Sequence, residues 1–471
     1  MNDHPSPAST VASPVINIES PSPWKIQTSN INSFMKLACP GIMREFLTMS
    51  LTVTDTIMIG SRLGLQHLAA SNIAANIIYL TLFVPIGSLA AVDSLGTQAV
   101  GALDYNKLKC CIHQSMFVAM LLSFVPILSW LFSSSLLQLL RVDDYISSLV
   151  SEYLRVQVFS IPFYILYAVY GQKLLDCQGI IWTQVLFLLM TNVLNVISNY
   201  FLIGLYEMKG AGIATALSRV WPFAFAFVYL KFSGSCIFPF RITKQVFQPS
   251  DLGAYLKISL PATVFLFSEN LVFLIWSLIA AKDGEDALAA HSIVMSLVNL
   301  AYVTCLGISS AVSIRIGTLV GAGLYSDASF TSHFSIVVSV IVMSVFGLTF
   351  HIFKTPFSKL LTNEDVVINL VSNLTLPVAL FQLSDGIFAT SVGVLRSVGK
   401  TSVTAVCALV SYYLVGLPLS LVFSNLFDSV IIGLWYAICV SITVGATFLF
   451  LVVKFVNWRH QCQISAQRNA L

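Results

Sequence analysis

The chain has 471 residues, of which 57% are hydrophobic and only 10% are charged, and its mean hydropathy is +0.85. A soluble domain carries roughly a quarter charged residues, so this composition excludes a water-soluble globular protein and indicates that lipid is the solvent. The net charge of +3 is small, and no basic block is long enough to bind nucleic acid.

The chain begins with a segment rich in Pro and Ser that has no apolar core, which predicts a disordered tail over residues 1–32 rather than a signal peptide. Twelve apolar spans follow, and each is long enough to cross a bilayer, which takes about 20 residues. We expect helices because lipid offers the backbone no hydrogen-bond partners, and the segments are too long for barrel strands. The predicted spans are 34–61, 63–92, 110–140, 146–172, 177–206, 210–231, 255–281, 287–314, 328–353, 366–395, 401–427 and 429–453.

Twelve spans place both chain ends on one side of the membrane, and the positive charges indicate which side that is. Sixteen Lys and Arg residues fall in the tails and even-numbered loops and seven in the odd-numbered loops, while Arg219 lies inside a span. The positive-inside bias therefore predicts cytoplasmic termini. The predicted parts are a disordered cytoplasmic tail at 1–32, an N-lobe of six spans at 33–231, a cytoplasmic inter-lobe loop at 232–254, a C-lobe of six spans at 255–456 and a cytoplasmic tail at 457–471.

The two halves resemble each other at a constant offset of 220 residues. Matching positions recur along both halves and include Gly87 and Gly307, Gly101 and Gly321, and Gly179 and Gly399. Six spans followed by six spans in the same order predict a parallel repeat, related by a pseudo-two-fold axis along the membrane normal. Secondary transporters are commonly built in this way, with the site between the halves.

Three acidic residues fall inside predicted spans: Asp55, Glu269 and Asp385. Each costs about 2.5–3.5 kcal/mol at a helix centre, so a functional role is the expected reason for its presence. A buried carboxyl can hold a proton or, as a carboxylate, attract a cation, and competition between the two is sufficient for an exchanger. The alternative is a structural pair with a buried base, and Arg62 follows Asp55 by two helical turns.

Two stripes of polar residues recur at helical spacing and should face the protein interior rather than lipid. The first stripe, a candidate ion site together with Asp55, consists of Asn192, Asn195 and Asn199. The second, a candidate lining of a substrate cavity, consists of His291, Asn299 and Tyr302. The alternative for each stripe is hydrogen bonding between helices without a ligand.

Several kinds of chemistry have no support in the sequence. There is no GxxxxGK[ST] phosphate loop, which argues against ATP-driven pumping by this chain. The seven histidines and nine cysteines show no metal-ligand spacing, so neither a metal nor another cofactor is expected. A membrane enzyme would need a nucleophile–base pair, and a channel would need a ring of acids, and neither pattern is present.

Several strings resemble the multidrug and toxic compound extrusion (MATE) family of transporters, in its eukaryotic form. They are DALAAHSI at 286–293, LGISSAVSIRIG at 306–317, GAG at 321–323, GVLRSVG at 393–399 after the Asp385-Gly386 pair, YYLVGLP at 412–418, QGI at 178–180 and GAGIA at 210–214. The resemblance implies two V-shaped lobes of six helices and a cavity that opens alternately to each side. It also implies export of organic cations or other xenobiotics in exchange for protons or sodium.

The resemblance places Glu269 and Asp385 at the acidic positions of the seventh and tenth spans, where proton and cation would bind. The sequence departs from the eukaryotic pattern after Glu269, because Asn270 and Leu271 replace a Trp pair and Leu274 replaces a second acid. Asp55 resembles the first-span aspartate of prokaryotic members, so sodium coupling stays open beside proton coupling. A different cargo, such as a lipid-linked precursor, is also open. We expect a monomer in the plasma membrane.

Overall fold

The computed structural model describes residues 23–233, 248–362, 364–427 and 429–470, and helices joined by short turns account for nearly all of them. The tail up to residue 22 and residues 234–247 of the predicted inter-lobe loop lie outside this part of the chain. The first helix begins at Pro23, so the prediction that residues 23–32 belong to a disordered tail is wrong. These residues extend a spanning helix, and Asn30 accepts a hydrogen bond from Arg315 at 2.9 Å.

Ten helical runs of the described chain are long and apolar enough to cross a membrane. The first helix and a break in the longest run bring the number of long helices to twelve, as predicted. Their bounds are α1 Pro23–Leu63, α2 Leu65–Gly101, α3 Tyr105–Leu131, α4 Asp144–Cys177, α5 182–206, α6 208–232, α7 Pro249–Ala281, α8 Glu285–Gly321, α9 Tyr325–Ile352, α10 Asp365–Ser397, α11 Thr401–Leu426 and α12 Val430–Lys454. Helices α5 and α6 form one run that breaks at Glu207, whose φ of 50° is not helical. Short helices at Ser133–Leu139 and Lys354–Leu361 follow α3 and α9, and α13, Trp458–Ala470, ends the described chain.

The repeat predicted from the sequence is present in the backbone. Gly64 and Gly284, which are 220 residues apart, join α1 to α2 and α7 to α8 with φ of 86° and 111°. Gly179 and Gly399, again 220 apart, have φ of 71° and 74°. Left-handed backbone of this kind costs glycine little, which explains why glycine recurs in both halves.

Two hydrophobic cores correspond to the two lobes, and each core takes in side chains of the other lobe's first helix. Phe34 and Ala38 of α1 are buried in the core formed by α7–α12. Tyr255 and Ile258 of α7 are buried in the core formed by α1–α6. The N-terminal parts of α1 and α7 therefore pack against the opposite lobe, and the predicted boundaries at 33–231 and 255–456 do not separate the cores there.

Candidate functional site

Glu269 on α7 is buried inside the C-lobe and is held by two tyrosine hydroxyls. The hydroxyl of Tyr412 on α11 donates to Oε1 at 3.2 Å, and the hydroxyl of Tyr302 on α8 donates to Oε2 at 3.4 Å. A hydroxyl can donate to a carboxylate and can also accept from a protonated acid. The two tyrosines can therefore hold Glu269 in either protonation state.

Asp385 on α10 is also buried inside the C-lobe. Its Oδ2 atom accepts no hydrogen bond from the part of the chain that the structure describes. Neither carboxyl forms an ion pair with a described Lys, Arg or His. The alternative that these acids are paired with a buried base is therefore wrong for the described residues. Two acids so placed need a proton or a cation to offset their charge.

Tyr412 owes its position to an irregular segment of α11. Residues Leu409–Gly416 wind as a π-helix, and Tyr413 beside it donates to the carbonyl of Ser268 at 2.8 Å. Isolated π-helical turns occur frequently at functional sites because they redirect side chains. Our sequence reasoning did not include Tyr412 among the site residues. The signal for it was the Tyr412–Tyr413 pair that begins the YYLVGLP string at 412–418.

The polar stripe predicted on α8 reaches the acidic site through one of its three members. Tyr302 contacts Glu269, as described above. The Nε2 atom of His291 lies 3.0 Å from the Ser277 hydroxyl, and its ring packs near Trp435 inside the C-lobe. Asn299 is exposed and forms no side-chain hydrogen bond with a described residue. The structure therefore brings only Tyr302 to the acids.

Asp55 on α1 anchors a second polar cluster, in the N-lobe. Its Oδ1 atom accepts from Asn195 at 2.9 Å and from Asn199 at 2.7 Å, both on α5. Its Oδ2 atom accepts from the hydroxyl of Thr215 on α6 at 2.7 Å. Arg62 instead donates to the carbonyl of Tyr200 at 2.8 Å, so the alternative of an Asp55–Arg62 pair is wrong.

The third asparagine of the predicted N-lobe stripe does not reach Asp55. The amide of Asn192 donates to the carbonyl of Leu47 at 3.0 Å, and its oxygen accepts from the hydroxyl of Ser50. Asn192 shares a helix face with Asn195 but lies about one turn nearer the N-terminus of α5. It is therefore level with Leu47 and Ser50 of α1 rather than with Asp55. Thr215 takes the place that the sequence analysis gave to Asn192.

Contacts between the lobes concentrate on the side of the membrane that carries the chain ends. We call Asp93, Lys173 and Arg396 the inter-lobe latch. Asp93 on α2 binds the ammonium group of Lys173 on α4 at 2.6 Å and lies 3.4 Å from Nε of Arg396 on α10. The amide of Gln98 donates across the lobes to the carbonyl of Ser397 at 2.8 Å. When the lobes close on this side, Arg396 of the C-lobe therefore comes next to Asp93 of the N-lobe.

A second charged cluster lies around Arg44 of α1. Arg44 is buried and binds Asp176 of α4 at 2.8 Å and its neighbour Glu45 at 2.9 Å. It also donates across the lobes to the hydroxyl of Ser310 at 3.2 Å. Buried charges are tolerated when they are paired, so this cluster explains how the first span carries an Arg–Glu pair.

Glycines allow the lobes to approach closely on the same side, and they do so in repeat-related pairs. A Cβ atom at Gly321 of α8 would collide with the backbone carbonyl of Gln98, and one at Gly101 of α2 would collide with that of Thr318. At the opposite side, nothing lies within 4 Å of a Cβ placed on Gly64 or Gly284. The lobes are therefore in close contact at the end of the molecule that carries the first and last described residues.

No group of three or more His, Cys, Asp or Glu side chains within the described ranges is arranged to hold a metal ion. The protein groups available to a ligand in the two clusters are thus carboxyl, hydroxyl and amide groups. These are the groups that bind protons, alkali cations and the polar parts of small organic molecules.

A model of the MatE family matches residues 40–201 and 261–422, one match in each lobe. The multidrug and toxin extrusion protein 1 of Danio rerio is 26% identical over 444 residues, which cover 92% of this chain and 74% of that protein. A probable multidrug resistance protein NorM of Idiomarina loihiensis is 25% identical over 452 residues, covering 93% and 97% of the two chains. The crystal structure of the eukaryotic MATE transporter AtDTX14 has a TM-score of 0.84 and 22% identity, and the match covers 94% of this chain and 99% of that one.

Proposed function

The chain belongs to the MatE family of multidrug and toxin extrusion transporters, and from this premise we propose that it exports organic cations in exchange for protons by alternating access. The observation that carries the proposal is the pair of buried carboxyls, Glu269 and Asp385, neither of which has a basic partner among the described residues. A proton or a positively charged cargo can offset their charge, and the two exclude each other.

This competition couples the two fluxes. When protons occupy the acids, the site is neutral and holds a cation weakly; when the protons leave, the site attracts a cation. Each ligand changes the affinity for the other by the same factor, because binding free energies are linked reciprocally. Transport then requires only that the lobes expose the site to one side of the membrane at a time.

The lobe contacts and the charge bias support an orientation for this cycle. The closed side carries the chain ends, and the excess of Lys and Arg on that side indicates the cytoplasm. The structure would then represent the conformation that is closed to the cytoplasm, from which cargo leaves and protons enter. We place the protein in the plasma membrane as a monomer.

The proposal is tested with a panel of radiolabelled solutes in proteoliposomes that hold an imposed pH gradient. We expect organic cations to move in the direction opposite to proton flow. Neutral and anionic analogues of the same size should move little. Transport of cations that is indifferent to the pH gradient at fixed membrane potential would contradict the proposal.

Sodium coupling through the N-lobe is the second candidate, and it is favoured by the buried amide oxygens of Asn195 and Asn199 near Asp55, which accept no hydrogen bond from the described chain. A carboxylate beside amide and hydroxyl oxygens is a suitable ligand set for an alkali cation. Replacing sodium by a large inert cation at fixed pH separates the candidates. If protons drive transport, replacing sodium leaves efflux unchanged. If sodium drives transport, replacing it abolishes efflux.

The inter-lobe latch provides a prediction about the conformational change. In an Arg396→Gln variant, Asp93 keeps Lys173 but loses its partner in the C-lobe. A partly exposed ion pair contributes about 1 kcal/mol, so the population opened on that side should rise about fivefold. Hydrogen exchange at the ends of α2 and α8 nearest the termini measures the change, and Arg396→Lys is the matched control. Unchanged exchange would show that the latch does not hold the lobes together.

A further inference from the structure

Arg219 is a charged residue inside α6 that the proposed cycle does not use. Its guanidinium lies 5.2 Å from the ring centre of Trp130 and 5.9 Å from that of Tyr164. Its Nη1 atom donates to Oε1 of Gln157 on α4 at 2.7 Å. No carboxylate of the described chain lies within 4 Å of it. A permanent cation in a spanning helix is costly and marks a functional position.

Hydrogen bonds from both ends of Tyr153 connect Arg219 to Asp55, and the path between them runs through the covalent structure of that residue, from its hydroxyl to its carbonyl. Thr215, one turn before Arg219 on α6, donates to Oδ2 of Asp55, and its hydroxyl lies 3.0 Å from that of Tyr153 on α4. Gln157, one turn after Tyr153, donates to the Tyr153 carbonyl at 3.2 Å and accepts from Arg219. The network therefore has one negative and one positive end.

The remaining groups of the network carry no charge. Asp55 accepts only from the neutral side chains of Asn195, Asn199 and Thr215 among the described residues. No described Lys, Arg or His forms an ion pair with Asp55, and Arg219 lies on α6 one turn after Thr215, which bonds Asp55. The titratable groups that face Arg219 besides Asp55 are the hydroxyls of Tyr79, Tyr153 and Tyr164 on α2 and α4.

We infer that Arg219 is a tethered counter-cation of Asp55, which supplies the positive charge of the N-lobe cluster and excludes sodium from it. A cation entering beside Asp55 would bring a second positive charge to a single carboxylate in a region of low polarity. The C-lobe acids have no such resident cation. The inference deepens the proposed function, on which it rests, because it leaves the C-lobe as the place of ion coupling.

The test is sodium binding by the purified full chain in detergent, measured with radioactive sodium alone and no cargo. We expect the parent chain to bind sodium weakly and Arg219→Gln to bind it about tenfold or more tightly, within the usual range for two coupled sites. An Asp55→Asn, Arg219→Gln double variant should lose that gain, and Arg219→Lys should behave as the parent. Asp55-dependent sodium binding by the parent, or no gain in Arg219→Gln, would overturn the inference.

Thermal stability of the parent chain, Asp55→Asn, Arg219→Gln and the double variant in detergent keeps the test decisive if Arg219→Gln yields little protein. Each single substitution leaves one charge without its partner, so the double variant should be more stable than the sum of the single effects predicts. Simple additivity would overturn the inference. Neither readout depends on proton-driven efflux, which is measured separately on the same variants and whose absence would count against the proposed function alone.

Discussion

Replacement of Glu269 by Gln should leave the protein folded in the membrane and reduce pH-gradient-driven efflux to the level of protein-free liposomes. Glutamine preserves the shape of the side chain; its carbonyl oxygen accepts from one of the hydroxyls of Tyr302 and Tyr412 and its amide donates to the oxygen of the other, so packing in the C-lobe should be kept. It cannot exchange a proton and carries no charge to attract a cationic cargo. Efflux is measured in proteoliposomes with equal amounts of protein reconstituted.

The matched control is Glu285→Gln, which makes the same chemical change at an exposed acid in the first turn of α8. It should transport like the parent chain. If Glu269→Gln shows undiminished pH-driven efflux, Glu269 is not part of the coupling site, whichever solute is transported.

A second large effect is expected from Gly321→Leu, which should prevent the lobes from closing on the side of the termini. A Cβ at this position would collide with the backbone carbonyl of Gln98, and backbone cannot move aside as a flexible side chain can. Overpacking costs typically 1–3 kcal/mol, so the closed population and the efflux rate should fall by about tenfold. Efflux and hydrogen exchange over 93–103 are the measurements.

Gly253→Leu on α7 is the control for that variant, because nothing lies within 4 Å of a Cβ at Gly253. Helix propensity changes in the same direction in both variants. If Gly321→Leu shows the exchange and efflux of the parent chain, close contact between α2 and α8 is not part of the transport cycle.

The spans and the repeat were predictable because they depend on composition and on positions held at one offset. Lipid forces the backbone into helices regardless of sequence detail, and left-handed turns at Gly179 and Gly399 require the same residue in both halves. The buried acids Glu269 and Asp385 were also found from sequence, because a charge within an apolar span is conspicuous.

Depth along a helix and local winding were not predictable. The spacing of Asn192 and Asn195 gives a shared face but not which of them is level with Asp55, and α1 and α5 had to be packed to decide it. Tyr412 reaches Glu269 through a π-helical segment, which changes the residue period on which face assignments rest. Arg219 was visible inside a span, but its connection to Asp55 passes through residues of α4 and α6 that no periodic pattern links.

The packing of the N-terminal parts of α1 and α7 against the opposite lobe was also not predictable from the sequence. Phe34 and Tyr255 look like ordinary core residues of their own helices, yet each is buried in the opposite lobe. The Phe34 ring packs against Phe334, and the Tyr255 hydroxyl donates to the carbonyl of Ser88, 167 residues away, so no local pattern carries the information.

Exchange of a proton for a cationic solute at the C-lobe acids is tested most directly by counting protons during binding. The purified chain is mixed with an organic cation in weakly buffered detergent solution, and a pH indicator records proton release. We predict release by the parent chain that saturates with cation binding and is lost in Glu269→Gln. Saturable cation binding by the parent without any proton release would contradict the account.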